Sequence, residues 1–200
     1  MTSSEREDER ILPSLGRLKQ GEILHGLTFV TLQKQDPGAD GNYRLWGAPE
    51  TPWHIVLTQD CDLEQDASAR EGETYSDKRL WGILIAPGWD ANDVEEGRHL
   101  TGTGFEDLHD GTRWVHRMGG TEANYLRTNR LERWHFVEAH QLTNDTALAF
   151  DFKLATTVHP DYVTAAIGNA PEMRVGTLGG LWANHLAHRY ITFLGRVPLP

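Results

Sequence analysis

Up to about residue 158 the apolar residues of this chain fall in runs too short for helices, and only the final forty carry helical spacing. Seven segments (21–24, 27–33, 53–58, 80–86, 114–116, 134–139 and 147–152) are short, rich in β-branched or aromatic residues, and mostly bounded by Pro, Gly, Asp or Asn. Those features predict strands. In 134–139, Trp134, Phe136 and Glu138 alternate with His135, Val137 and Ala139, the period-2 pattern of a pleated strand. The polar stretch 64–78 reads as an exposed loop or short helix. The Gly- and Asp-rich stretch 87–111 reads as an excursion with one helical turn at 91–96.

The last segment behaves differently. Leu178, Leu181, Trp182, His185, Leu186, Arg189, Tyr190, Phe193 and Leu194 recur every three or four residues, which predicts an amphipathic helix. Thr177 is the expected N-cap and Gly195 the expected C′ residue. Strands followed by one helix disfavour a doubly wound parallel sheet, whose helices alternate with its strands. The expected fold is therefore α+β: a small, bent antiparallel barrel with a C-terminal amphipathic helix. Residues 1–14 read as a flexible acidic arm, 15–158 as the barrel domain with long loops, and 159–200 as a helical segment packed on the barrel or on a partner.

Composition narrows the function classes. A net charge of −10 over 200 residues repels polyanions on average, which argues against a general DNA binder. Arg113, Arg117, Arg127, Arg130 and Arg133 form the one basic cluster, where a focused RNA groove could sit. A single cysteine forms no internal disulfide, and the charged start offers no apolar signal core, so the expected compartment is cytoplasmic. No apolar run spans a bilayer, no glycine-rich phosphate loop follows a strand, and no CxxC pair is present. No membrane and no cofactor are expected.

The densest chemistry is Asp60-Cys61-Asp62, directly after the apolar run 55–57. If the strand persists, Asp60 and Asp62 share a face and could hold a metal, an arginine or a turn. Two flanking carboxylates discourage the thiolate that a nucleophile needs, so Cys61 reads as a packing residue between them. These three residues form the candidate catalytic set of a hydrolase or nuclease, with or without a divalent metal. Among the seven tryptophans, Trp46 and Trp89 sit in Gly-rich stretches and read as loop anchors for a base or a partner. Arg113 and Arg117 are candidate binding residues, as is Leu186 on the terminal helix. The paired histidines His185 and His188 read as packing or surface residues rather than metal ligands.

Three segments taken in order resemble the PemK/MazF group of SH3-like barrels: Gly21-Glu22-Ile23-Leu24, Ile55-Val56-Leu57-Thr58-Gln59, and Ile83-Leu84-Ile85-Ala86-Pro87. The resemblance covers roughly the first half of the chain and implies a small barrel. That group's ribonucleases carry Arg-Pro before the second of these strands and Thr or Ser after the proline of the third. Here Pro52-Trp53-His54 and Pro87-Gly88-Trp89 stand in those places, so neither catalytic residue carries over. The chain also resembles uncharacterised bacterial proteins that share a Gln-x-Cys-Asp-Leu strand end (59–63 here) and an Arg-Val-x-Leu-Pro terminus (196–200 here), and that occur near conflict systems.

The expectation is a non-catalytic or degenerate barrel that binds a protein partner, in part through its C-terminal helix, with RNA second, in a defence or toxin–antitoxin type of system. The hydrolase built on residues 60–62 is the rival, and a metal-dependent sensor comes third.

Overall fold

Strand β5 (Trp53–Val56) shows how the short apolar runs are used. All four of its residues are buried, because the sheet is covered on both faces. Ile55 joins Ile23, Ala86 and Phe150 in one apolar cluster, while its neighbour Val56 joins Leu24, Ile83 and Ile85 in another. The period-2 alternation thus feeds two cores at once. The protein is described by a computed structural model that covers residues 11–28, 30–34, 43–47, 52–72, 77–100 and 117–196.

The strands around β5 are β1 (Ile11–Leu12), β2 (Glu22–His25), β6 (Ile83–Asp90), β7 (Trp134–His140), β8 (Thr146–Asp151), β9 (Thr156–Val158) and β10 (Arg174–Leu178). Their order is β1-β10-β2-β5-β6-β8-β7, with β9 also on β6 and every pairing antiparallel. The sheet bends into a nearly closed barrel, and the fold is α+β as the order of elements predicts. Strands β3 (Val30–Lys34) and β4 (Tyr43–Gly47) form a separate hairpin. The expected strand at 114–116 lies outside the described residues.

Helices cover both faces. On one side, α1 (Asp60–Glu71) contributes Leu63 and α4 (Pro160–Asn169) contributes Val163 to the cluster built on Val56 and Ile85. On the other, α5 (Gly180–Gly195) inserts Leu186 and Phe193 against Ile55, Leu148 and Phe150. A third cluster, with Trp89, Trp134 and Phe136, sits under α2 (Ala91–Glu95) and α3 (Gly120–Arg127).

Three features depart from the sequence reading. Strand β6 does not turn at Pro87 but continues to Asp90. It pairs with β9 over 83–85 and with β8 over 88–90, so Pro87 falls in the gap between those partners. Its missing N–H interrupts no ladder there. The stretch 60–71 is helix, with Asp60 and Asp62 in the first turn and Arg70 in the last, charges that suit the helix dipole. After residue 159 the chain is not only helical: β10 inserts between β1 and β2, and Thr177, expected as a helix cap, pairs there with Leu12 and Glu22.

Buried carboxylates fasten the strands. Glu22 has no exposed surface and accepts hydrogen bonds from Nε and Nη2 of Arg174, the latter at 2.9 Å, and from Lys19 N–H at 3.1 Å. Asp151 is equally buried and receives Arg133 Nε at 2.8 Å and Nη2 at 2.5 Å. Asp66 on α1 receives Arg70 at 2.7 Å and the backbone N–H of Leu80 at 2.7 Å.

Gly88 packs against the Phe150 ring, and a Cβ there would meet it at 2.4 Å. Gly88→Ala is expected to destabilise the protein by about 1–3 kcal/mol through overpacking. Gly168→Ala, in an open position of α4, is expected to stabilise it by about 0.5–1 kcal/mol. Urea unfolding of both variants checks the contrast in sign.

Candidate functional site

The Asp60-Cys61-Asp62 set sits on the first turn of α1, not at a strand end. Strand β5 stops at Val56, and Gln59 is the extended residue before the helix. Asp60 Oδ1 accepts the Gln20 backbone N–H at 2.6 Å, and the Gln20 side-chain amide donates to Leu57 O at 3.0 Å. Asp60 is thus spent on tying the 16–21 turn to the start of the helix, the anchoring alternative of the sequence reading.

Cys61 is exposed, which corrects its reading as a packing residue. Helical geometry turns the second residue of α1 outward, whereas an extended chain would have left it at the end of the buried strand. Its Sγ lies 3.6 Å from Gln59 Oε1 and 3.8 Å from Asp62 Oδ1. Among the described residues, no three His, Cys, Asp or Glu side chains come together as a group that could hold a metal.

The candidate binding residues separate. Trp89 is 4% exposed and belongs to β6, and Leu186 is wholly buried in the barrel core, so neither is a surface anchor. Pro87 and Gly88 make Trp89 read as a loop residue, but Pro87 falls between the partners of β6 and Gly88 makes room for the Phe150 ring. Trp46 falls in β4 opposite Thr31, its side chain outside the described part, and Arg113 lies outside the described residues altogether. Arg117 is exposed and paired with Glu96 at 3.0 Å. Arg127 pairs with Glu95 at 2.6 Å and Arg133 with Asp151, while Arg130 lies over the Tyr125 ring at 5.9 Å. Three of the four described arginines of the basic cluster are therefore ion-paired with their own neighbours.

The inward residues of α5 are Leu186 and Phe193, with Trp182, Ala183 and Tyr190 packed partly against the same core. Leu181 and Leu194, expected on that stripe, are instead exposed at 68% and 54%, and Ile191 at 61%. Trp81, before β6, is 95% exposed. The periodicity marks Leu181 and Leu194 as apolar, and the structure leaves both in solvent. Among the described residues, no helix is long and apolar enough to cross a membrane.

Sequence reasoning also missed the role of Arg189. Its Nη1 donates to Asn129 O, and its Nη2 to Leu131 O and Trp134 O, both at 2.6 Å, stapling α5 to the turn that enters β7. Buried histidines surround the same cores. Burial, with the nearby His25, lowers the His54 pKa to about 3; burial, with Arg189 and His185, lowers that of His135 to about 3. Burial lowers His99, held edge-on between Trp89 and Trp134, to about 4.

No protein-family model matches this chain, and no curated protein or solved structure matches it significantly.

Two outcomes follow from this arrangement. The Cys61 thiol of the folded protein should react with Ellman's reagent without denaturant, and Cys61→Ser should change stability by less than about 0.5 kcal/mol. Stability should fall as pH drops below about 6.5, because the unfolded chain then takes up protons that neutral His54, His99 and His135 refuse in the folded state. Each contributes about 1.4 kcal/mol per pH unit between the unfolded value and its own lowered value. Urea midpoints measured from pH 8 to pH 5 should be flat above about 6.5 and decline below it.

Proposed function

We propose that this chain is a binding module: a non-catalytic, PemK-like barrel whose helix α5 docks a protein partner, in a bacterial defence or toxin–antitoxin type of system. The observation that carries the reading is the outward side of α5. Leu181, Ile191 and Leu194 stand in solvent along about 20 Å of helix, while the inward side fills the barrel. A surface helix normally keeps its outer positions polar, and large apolar side chains left exposed there mark an interaction surface; Ile191 and Leu194, three residues apart, are neighbours on it.

RNA ranks second, because the net charge is −10 and the described arginines of the basic cluster are mostly ion-paired. The hydrolase reading ranks behind the binding one. Asp60 is engaged by Gln20, and among the described residues the hydrogen-bond neighbours of the Cys61 thiol are Gln59 and Asp62 rather than an imidazole.

Leu186, buried in the barrel core, is the wrong residue for testing the interface, since Leu186→Asp would unfold the protein. The test is Ile191→Asp combined with Leu194→Asp. Tagged wild-type protein is purified from its source cells, and the co-purifying proteins are quantified by mass spectrometry. The double variant is expected to lose reproducible partners while its circular dichroism and urea midpoint stay close to wild type. An unchanged set of partners would sink the proposal.

A further inference from the structure

Between α5, β7 and the turn after α3 lies a cleft of about 200 Å³. Phe136, Val137, Leu178 and Trp182 give it apolar and aromatic walls, and His135 and His185 line it with ring centroids 5.9 Å apart. Its charged lining is Arg127, already paired with Glu95, and the exposed Glu138.

Each imidazole has one ring nitrogen sealed away, which fixes its tautomer. His135 is 2% exposed, and its Nδ1 is sealed from solvent without a hydrogen-bond partner; Nδ1 of His185 is in the same condition. A neutral imidazole carries one proton, and an unfilled acceptor is tolerated in a protein interior better than an orphaned N–H. Nδ1 is the ring nitrogen that is sealed without a partner in each case, so in both rings the proton belongs on Nε2. Burial, with the nearby charge of Arg189, holds both rings neutral, His135 most strongly. Among the described residues Arg189 hydrogen-bonds backbone carbonyls and its Nε is unpartnered; Glu132 partly offsets its charge, but its positive field reaches both rings. Two N–H donors in a positive field call for an acceptor that carries negative charge. The aromatic walls call for a flat apolar body. The volume lies below the range of about 300–1,000 Å³ for drug-sized sites, so it suits a single ring rather than a nucleotide.

We propose that this cleft binds a small aromatic monocarboxylate, its ring against Trp182 and Phe136 and its carboxylate oxygens accepting from Nε2 of His135 and His185. The site is independent of the outward face of α5 and stands or falls separately from partner docking.

The probe is sodium benzoate, titrated into the full chain carrying ¹⁵N-labelled histidines and followed by NMR of the imidazole nitrogens. Saturable shifts are expected at His135 and His185, with the other histidines unmoved. Benzyl alcohol, of similar shape but uncharged, is expected to bind about tenfold or more weakly. His185→Ala and Trp182→Ala should each weaken benzoate binding by a similar factor; circular dichroism and urea midpoints identify any variant that has lost its fold. The proposal is overturned if wild-type protein shows no saturable shift at these two rings, if benzyl alcohol binds as tightly as benzoate, or if a folded variant binds benzoate as wild type does.

Discussion

The barrel depends on one buried ion pair. Glu22, sealed inside β2, would be costly as an isolated charge, and Arg174 at the start of β10 answers it with two nitrogens. The same guanidinium also bonds the carbonyls of Gly16 and Arg17, so the turn before β2 is drawn into the arrangement. Two segments about 150 residues apart in sequence are thereby locked side by side. With β10 in place, β1 has a partner and Leu178 reaches the core that α5 closes. Removing either charge would leave the other buried and unanswered, which is costlier than the net worth of the pair.

What could be read from the sequence follows from how local each signal is. The run at 53–56 and the strands β7 and β8 were legible because their side chains alternate or crowd together within a few residues. Strand β10 was not. Arg174, Val175 and Gly176 form no apolar run, and the strand exists because Gly176 lets β1 approach: a Cβ there would meet Ile11 at 2.6 Å and Leu12 O at 3.0 Å. Pro87 and Gly88 misled for a related reason. They look like a turn, but the first occupies a gap between partner strands and the second makes room for Phe150.

The candidate sites divide along the same line. The crowding of Asp60, Cys61 and Asp62 is visible in the sequence, yet its meaning turned on whether the chain stays extended or coils. The helix makes it a first turn anchored by Gln20, with Cys61 turned to solvent. The cleft beneath α5 has no linear signature at all. Its two histidines are fifty residues apart and meet because α5 is stapled over β7 by Arg189. Apolar spacing on α5 was evident, but which residues face out depends on the curvature of the sheet beneath.

The placement of β10 also sets an order of events. The strand between β1 and β2 comes from residues 174–178, about 150 residues after β2, so these edge partners cannot pair fully until that segment has been made. Until then β1 and the β10-facing side of β2 present open hydrogen-bonding edges, and Glu22 waits without its cation. Pairings so distant in sequence close slowly. A nascent chain of this design is most exposed to misassociation before residues 174–178 have been made, and a chain cut short of them would stay in that state.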